Sequence, residues 1–275
     1  MTERRTATVG DVVAAVHARY DPAGAEPWDA VGLVCGDPAA PVRRVLVAVD
    51  AVAATVEEAL GLRADLLLTH HPLLLTPVSS VATTTPPGRL VHRLVAGGCA
   101  LLAAHTNADI ARDGVSDALA AALGVRSTTP LIPSPHDPST GLGRVGTLAE
   151  PILLEEFAAL VRAALPATAH GVRVAGDRAR TVHRVAVVGG SGSDCLAAAA
   201  AAGVDVVLTS DLKHHVTLDF LATGGPAVID VAHFASEWPW VPAVADLLAR
   251  DLDGLGLDVQ IATSTILTDP WTFRA

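Results

Sequence analysis

One strand–helix–strand pattern is written twice in this chain, and it constrains the fold more than any other feature. Arg44-Val45-Leu46-Val47-Ala48 returns as Arg184-Val185-Ala186-Val187-Val188, and Ala64-Asp65-Leu66-Leu67-Leu68-Thr69 returns as Val204-Asp205-Val206-Val207-Leu208-Thr209, each 140 residues later. The runs are continuously apolar, as strands buried on both faces must be. A helical stretch separates each from the next, Val52 to Leu60 in the first copy. Strands joined by helical crossovers favour mostly parallel sheets. The following strand repeats as well: His105-x-x-x-Asp109 matches His233-x-x-x-Glu237 at a spacing of 128 residues. The expectation is an α/β protein of two related α/β domains with mostly parallel sheets. The first spans 1–126 and the second 141–275, joined by a linker over 127–140 that carries Pro130, Pro133, Pro135 and Pro138.

Local signals agree with that grammar. A helix is expected from Val9 to Tyr20, with Asp11 near its start and Asp21-Pro22-Ala23-Gly24 breaking it. Glu26-Pro27-Trp28-Asp29-Ala30-Val31-Gly32-Leu33 reads as a turn feeding a short strand. Helices are expected over Gly88–Ala96 and Val115–Leu123, with a strand at Ala100–Ala104 between them.

Each repeated strand ends in metal-ligand chemistry. Thr69-His70-His71-Pro72 closes an apolar run, and Pro72 supports the ending because it cannot donate to a sheet ladder. Neighbouring side chains on a strand point to opposite faces, so two adjacent imidazoles can serve one site only where the strand has stopped. Sites in open α/β sheets collect at the carboxyl ends of strands. His70, His71, Asp109, His233 and Glu237 all fall at or just past such ends. Taken singly, Asp109 could cap a helix, His233 could be a core histidine and Glu237 a solvated first-turn acid. Three separated segments doing the same thing favour a shared metal site. Imidazoles with carboxylates suit zinc, iron or manganese, whereas calcium and magnesium prefer oxygen shells. Five side chains exceed the usual three of one catalytic zinc and suit two divalent ions ~3.5–4 Å apart, with Glu237 the carboxylate best placed to bridge.

Further candidates stand beside these. His105 occupies the repeat position of His233 and would orient a ligand, touch substrate or be a mere remnant of the repeat. Lys213 is the only lysine among the 19 basic residues, and it precedes His214 and His215. The three could bind a substrate phosphate or serve acid–base chemistry, or form a polar helix start. Gly189-Gly190-Ser191-Gly192-Ser193-Asp194, expected between strand and helix, could hold an anion, but it lacks the dinucleotide fingerprint and the Walker lysine.

Composition narrows the function classes. A formal charge of −10 argues against nucleic-acid binding as the main role, while acidic clefts attract cations. No run reaches the ~18 apolar residues that span a bilayer. The start, Met1-Thr2-Glu3-Arg4-Arg5, is not followed by a signal-peptide core, and Cys35, Cys99 and Cys195 form no paired framework. A cytoplasmic protein with free thiols is expected.

The chain resembles a known family, the NIF-three-like dinuclear metal-centre proteins, often labelled GTP cyclohydrolase I type 2 homologues. The blocks that carry the resemblance are Glu26-Pro-Trp-Asp-Ala-Val-Gly-Leu33, Thr69-His-His-Pro-Leu73, His105-Thr-Asn-Ala-Asp109, Gly141-Leu-Gly-Arg144, Lys213-His-His215 and His233-Phe-Ala-Ser-Glu237. The resemblance implies a two-domain subunit, a ring-shaped homohexamer and two metal ions in a cleft between domains. Their ligands would be His70, His71, Asp109, His233 and Glu237. Ala30, Ala232 and Phe234 depart from the family's usual Asn, Gly and Tyr. The function expected is a metal-dependent hydrolase of a nucleotide or related heterocycle, with a small-molecule substrate. The alternative is a non-catalytic metal-binding adaptor or metal-handling ring that presents a protein-interaction surface.

Overall fold

The computed structural model describes residues 5–135 and 137–275; the first four residues of the chain start and His136 of the expected linker lie outside them. The chain divides into two units: one runs to Ala111 and adds Val241–Thr268, and the other holds Arg112–Trp240 with Asp269–Ala275.

In the first unit β1 (Ala7–Thr8) leads into α1 (Val9–Arg19), whose Thr8 side chain accepts from the Asp11 N–H while Asp11 answers in a capping box. There follow β2 (Gly32–Cys35), β3 (Pro41–Val42), β4 (Arg44–Ala48), α2 (Ala53–Gly61), β5 (Leu66–Thr69), α3 (Pro86–Ala96), β6 (Ala100–Ala103) and α4 (Thr106–Ile110). The second unit contains α5 (Val115–Ala122), β7 (Arg126–Pro133), β8 (Gly141–Leu153), α6 (Leu154–Ala164), β9 (Arg173–Ala175), β10 (Thr181–Ser191), α7 (Leu196–Ala201), β11 (Val206–Ser210), α8 (His214–Ala222), β12 (Ala227–Val231) and α9 (His233–Glu237). The chain ends with α10 (Trp240–Gly254) and β13 (Gln260–Thr263).

The first sheet has the order β13-β4-β5-β6-β2 and is parallel except for β2. Every residue of β5 and β6 is buried, the signature of strands covered on both faces. On one face Leu46, Leu67 and Leu101 pack with Val56 and Ala59 of α2 and Leu94 of α3.

The second sheet, β7-β8-β10-β11-β12-β9, is mixed: β10, β11 and β12 run parallel, and β7, β8 and β9 pair antiparallel. Its strand residues alternate between two cores. Val185, Val187, Val206, Leu208 and Ile229 pack with Leu119, Phe157 and Val161, while Ala186, Val188, Val207 and Val228 pack with Leu196 and Ala199.

The repeat seen in sequence is a repeat in structure. Val45 pairs with Leu66 as Val185 pairs with Val206. Asp65 accepts from the backbone N–H of Arg43 and Arg44 at 2.7 and 2.9 Å, and Asp205 accepts from His183 and Arg184 at 2.8 and 2.7 Å. In each copy that carboxylate ties down the neighbouring strand just before their parallel pairing begins.

Four expectations need correction. Residues 126–133 form β7, not a linker; β7 is an edge strand, where Pro130 and Pro133 cost no interior ladder bond. Residues 112–126 belong with the second unit, and 241–268 return to the first, so the 1–126 and 141–275 division is not the one observed. The return works because α10 supplies the long crossover that a parallel partner of β4 requires. The sheets are mostly parallel only in the first unit. Gly189, Gly190 and Ser191 continue β10 instead of forming a loop. No helix among the described residues is long and apolar enough to cross a membrane.

Candidate metal centre

In the first unit the parallel strands deliver three imidazoles to one place. β5 stops at Thr69, but the ladder runs on through His70 N–H to the Ala48 carbonyl (3.2 Å) and His71 N–H to the Val49 carbonyl (2.9 Å). β6 stops at Ala103, and His105 becomes the N-cap of α4, the short helix that carries Asp109. The ring centroids of His70, His71 and His105 lie 5.0, 5.2 and 5.4 Å apart, and each ring offers a nitrogen within 4.8 Å of the others. His70 is fully buried, and its Nε2 lies 3.7 Å from Asp109 Oδ1.

In the second unit α9 begins directly after β12, and one helical turn places His233 and Glu237 on the same side. His233 Nε2 stands 2.9 Å from Glu237 Oε1, and the Glu237 side chain is almost fully buried. Gly190, near the end of β10, makes room for this pair. A Cβ at that position would sit 2.6 Å from Glu237 Oε1 and 3.2 Å from His233 Nε2. Gly190 N–H donates to Ser236 Oγ at 2.9 Å, and Ser236 Oγ donates to the His233 carbonyl at 2.8 Å.

The four histidines share one arrangement. Each Nδ1 faces an oxygen acceptor: the Ala104 carbonyl for His70 (2.9 Å), Asp50 for His71 (2.7 Å), Asp29 for His105 (2.8 Å) and Asp211 for His233 (2.6 Å). A carbonyl or carboxylate oxygen accepts only, so each Nδ1 carries a proton, which leaves Nε2 as the ring atom that could ligate a metal. This is the arrangement that metal-ligating histidines use. Two acceptor atoms facing each other, as His233 Nε2 and Glu237 Oε1 do, require a proton or a cation between them. Ligand atoms ~2.1 Å from a common ion stand ~3.0–3.4 Å apart, and the 2.9 and 3.7 Å pairs bracket that spacing. The donor set therefore fits divalent metal.

Burial, followed by neighbouring His70, pushes the His105 imidazole below its ordinary range despite the pull of Asp29. The Asp29 side chain is fully buried. Burial is the largest single influence on Asp29 and acts upward, but hydrogen bonds from Thr106 and His105 together bring its carboxyl below the usual range.

Lys213 occupies the N-cap position of α8 without a side-chain cap bond, and Lys213, His214 and His215 are all exposed. His214 lines a cavity of about 350 Å³ with Arg173, Leu212, Leu218 and Asp230. Asp211, two residues before Lys213, links this segment to His233. Sequence reasoning missed Asp29, Asp50, Asp211 and Gly190. Asp50 lies two residues past β4, so the strand-end rule that singled out His70 would have found it.

Fold and site together define a two-unit α/β protein whose strand ends gather imidazoles and carboxylates of the kind that bind divalent metal. The Duf34/NIF3 (NGG1p interacting factor 3) family profile matches residues 7–270, and the chain belongs to that family. A Streptomyces coelicolor protein named GTP cyclohydrolase 1 type 2 homolog is 49% identical over 266 residues, covering 96% of this chain and 93% of the relative. A Mycobacterium tuberculosis protein of the same name is 36% identical, with 96% of each chain covered. Among solved structures, a Bacillus cereus protein related to NIF3 superposes with a TM-score of 0.91 at 25% identity, covering 98% of this chain and 100% of that one.

Proposed function

We propose that the protein is a dinuclear divalent-metal hydrolase acting on a nucleotide or related heterocycle, working in the cytoplasm as a ring-shaped homohexamer. The observation that carries the reading is the shared imidazole arrangement, with Nδ1 held by an oxygen and Nε2 presented, in both units. His70, His71, Asp109, His233 and Glu237 would hold two ions of zinc, iron or manganese. Divalent ions supply a lowered water pKa, toward ~7, and polarisation of the bond attacked. Asp50, Asp211 and the Ala104 carbonyl hold the imidazoles in the ligating tautomer, and buried Asp29 does the same for His105 at the edge of the set. Lys213, His214 and His215 would meet the charged end of the substrate, since all three are exposed.

Metal analysis of His71→Ala and Glu237→Ala beside wild type tests the ligand set. Loss of both ions from either variant is expected, and unchanged content in both would end the dinuclear reading. Metal-loaded protein that hydrolyses nothing in a broad nucleotide and phosphoester screen would end the hydrolase reading alone. A second reading, a metal-binding ring that presents a protein-interaction surface, draws on α8. That helix buries none of its residues and exposes Val216 and Leu218.

A further inference from the structure

Three large aromatic side chains are conspicuously exposed among the described residues: Trp28, Trp271 and Phe273. The last two lie in the final seven residues of the chain. Trp28 does not: it sits in a tightly held turn beside the imidazole cluster and still leaves 59% of its surface exposed.

The turn is rigid for identifiable reasons. Asp29 N–H bonds to the Glu26 carbonyl at 3.0 Å, closing a turn in which Pro27 and Trp28 are the central residues; Pro27 presets the backbone angle at its position. Glu26 N–H donates to Thr106 Oγ1 at 2.9 Å. The Asp29 carboxylate, next in the chain, accepts from Thr106 N–H at 3.0 Å, from His105 Nδ1 at 2.8 Å and from the Thr106 hydroxyl. The backbone on both sides of Trp28 is therefore anchored to the segment that carries His105. The indole ring lies 5.9 Å from the His105 ring, centroid to centroid, at an interplanar angle of 78°, so the two rings do not stack on each other. His105 in turn lies 5.2 Å from His70 and 5.4 Å from His71.

An apolar ring held rigidly in water beside a polar site loses favourable burial unless something covers it. A flat ring system is the occupant that matches an indole face, because offset stacking uses the whole surface and needs no further donor. A bicyclic base covers a bicyclic indole better than a single ring does. We propose that Trp28 is the stacking platform for the purine base of the substrate, a positioning residue that holds the base while its reacting edge faces the His70, His71 and His105 cluster. This deepens the nucleotide reading above and rests on it.

The test is calorimetric titration of the metal-loaded protein with guanosine 5′-monophosphate and, separately, with ribose 5-phosphate, which keeps the sugar phosphate but has no base. Wild type should bind the nucleotide well above the sugar phosphate. Trp28→Ala should weaken nucleotide binding roughly 5- to 150-fold, the range for loss of one base–aromatic stack, and leave sugar phosphate binding unchanged. Trp28→Phe, which keeps a π face, should recover most of the loss, and metal content should match wild type in both variants. Equal nucleotide affinity in wild type and Trp28→Ala would overturn the proposal. So would sugar phosphate binding as tight as nucleotide binding, or a Trp28→Phe variant as weak as Trp28→Ala. A change of oligomeric state in Trp28→Ala without a change in nucleotide affinity would overturn it too. The readout is binding, so a nucleotide that stacks without being hydrolysed leaves Trp28 in its role and removes only the hydrolase reading.

Discussion

Replacing Gly190 by alanine puts one methyl group where the second unit has no room for it. Two costs follow, and the structure separates them. Gly190 has φ +70°, a left-handed conformation that costs a residue with a Cβ about 1–2 kcal/mol. The new Cβ would also stand 2.6 Å from Glu237 Oε1 and 3.2 Å from His233 Nε2, and the buried Glu237 side chain must move to relieve the contact. Overpacking of this kind costs about 1–3 kcal/mol more. Gly203 supplies the control: its φ is +65°, and nothing lies within 4 Å of the corresponding Cβ. Gly203→Ala should therefore lose only the backbone term, about 1–2 kcal/mol, and Gly190→Ala about 2–5 kcal/mol. Urea unfolding with unchanged slope measures both losses on the metal-free protein. Metal content separates them again, because displacing Glu237 should strip bound metal from Gly190→Ala and leave Gly203→Ala as wild type. Equal stability losses, or equal metal content, would show that the space in front of Gly190 is not what holds the ligand pair.

Three further outcomes are expected. Asp50→Ala and Asp211→Ala should each lower metal affinity about 10–100-fold in a chelator competition, since each frees the Nδ1 of an imidazole proposed to ligate; affinities within a factor of about two of wild type would refute this. Asp117→Ala should destabilise the second unit by about 3–5 kcal/mol in urea, because it strands the buried Arg144 guanidinium that Asp117 now holds at 2.6 and 2.7 Å. Burial holds the His17 imidazole below its ordinary 6.5, with Asp21 pulling weakly the other way, so as pH falls below that value the unfolded chain takes up the proton first. The His17 contribution is thus complete above about pH 6.5 and lost on acidification through its folded pKa; His17→Gln should flatten the urea midpoint between about pH 7.5 and about pH 5.5, and an unchanged slope would exclude His17 as a source.

Much of the candidate site was legible along the chain because its residues stand at strand ends. A continuous apolar run such as Leu66–Thr69 announces a buried parallel strand, and whatever polar residue follows it must emerge at the sheet's carboxyl edge. That rule placed His70 and His71 after β5, and the return of His105-x-x-x-Asp109 as His233-x-x-x-Glu237 singled out the pair that α9 carries. The repeated Asp65 and Asp205 contacts show why the two copies kept one grammar: each carboxylate ties its own segment to the neighbouring strand where the parallel pairing begins, a local requirement that leaves a local mark.

What the amino-acid order determined by itself was periodicity: which runs are strands, which are helices, and which residues stand where strands stop. Only the tertiary structure decided the partners. Asp29 lies 76 residues from His105, Asp50 is 21 residues from His71 and Asp211 is 22 from His233, and no local pattern records those hydrogen bonds. The return of β13 to the edge of the first sheet is of the same kind, a parallel pairing between Gln260 and Arg44 with most of the chain between them. So is β7, where the prolines that suggest a linker are tolerated because the strand lies at an edge. Periodicity is a property of neighbours in sequence, whereas pairing, burial and the tautomer of an imidazole depend on neighbours in space.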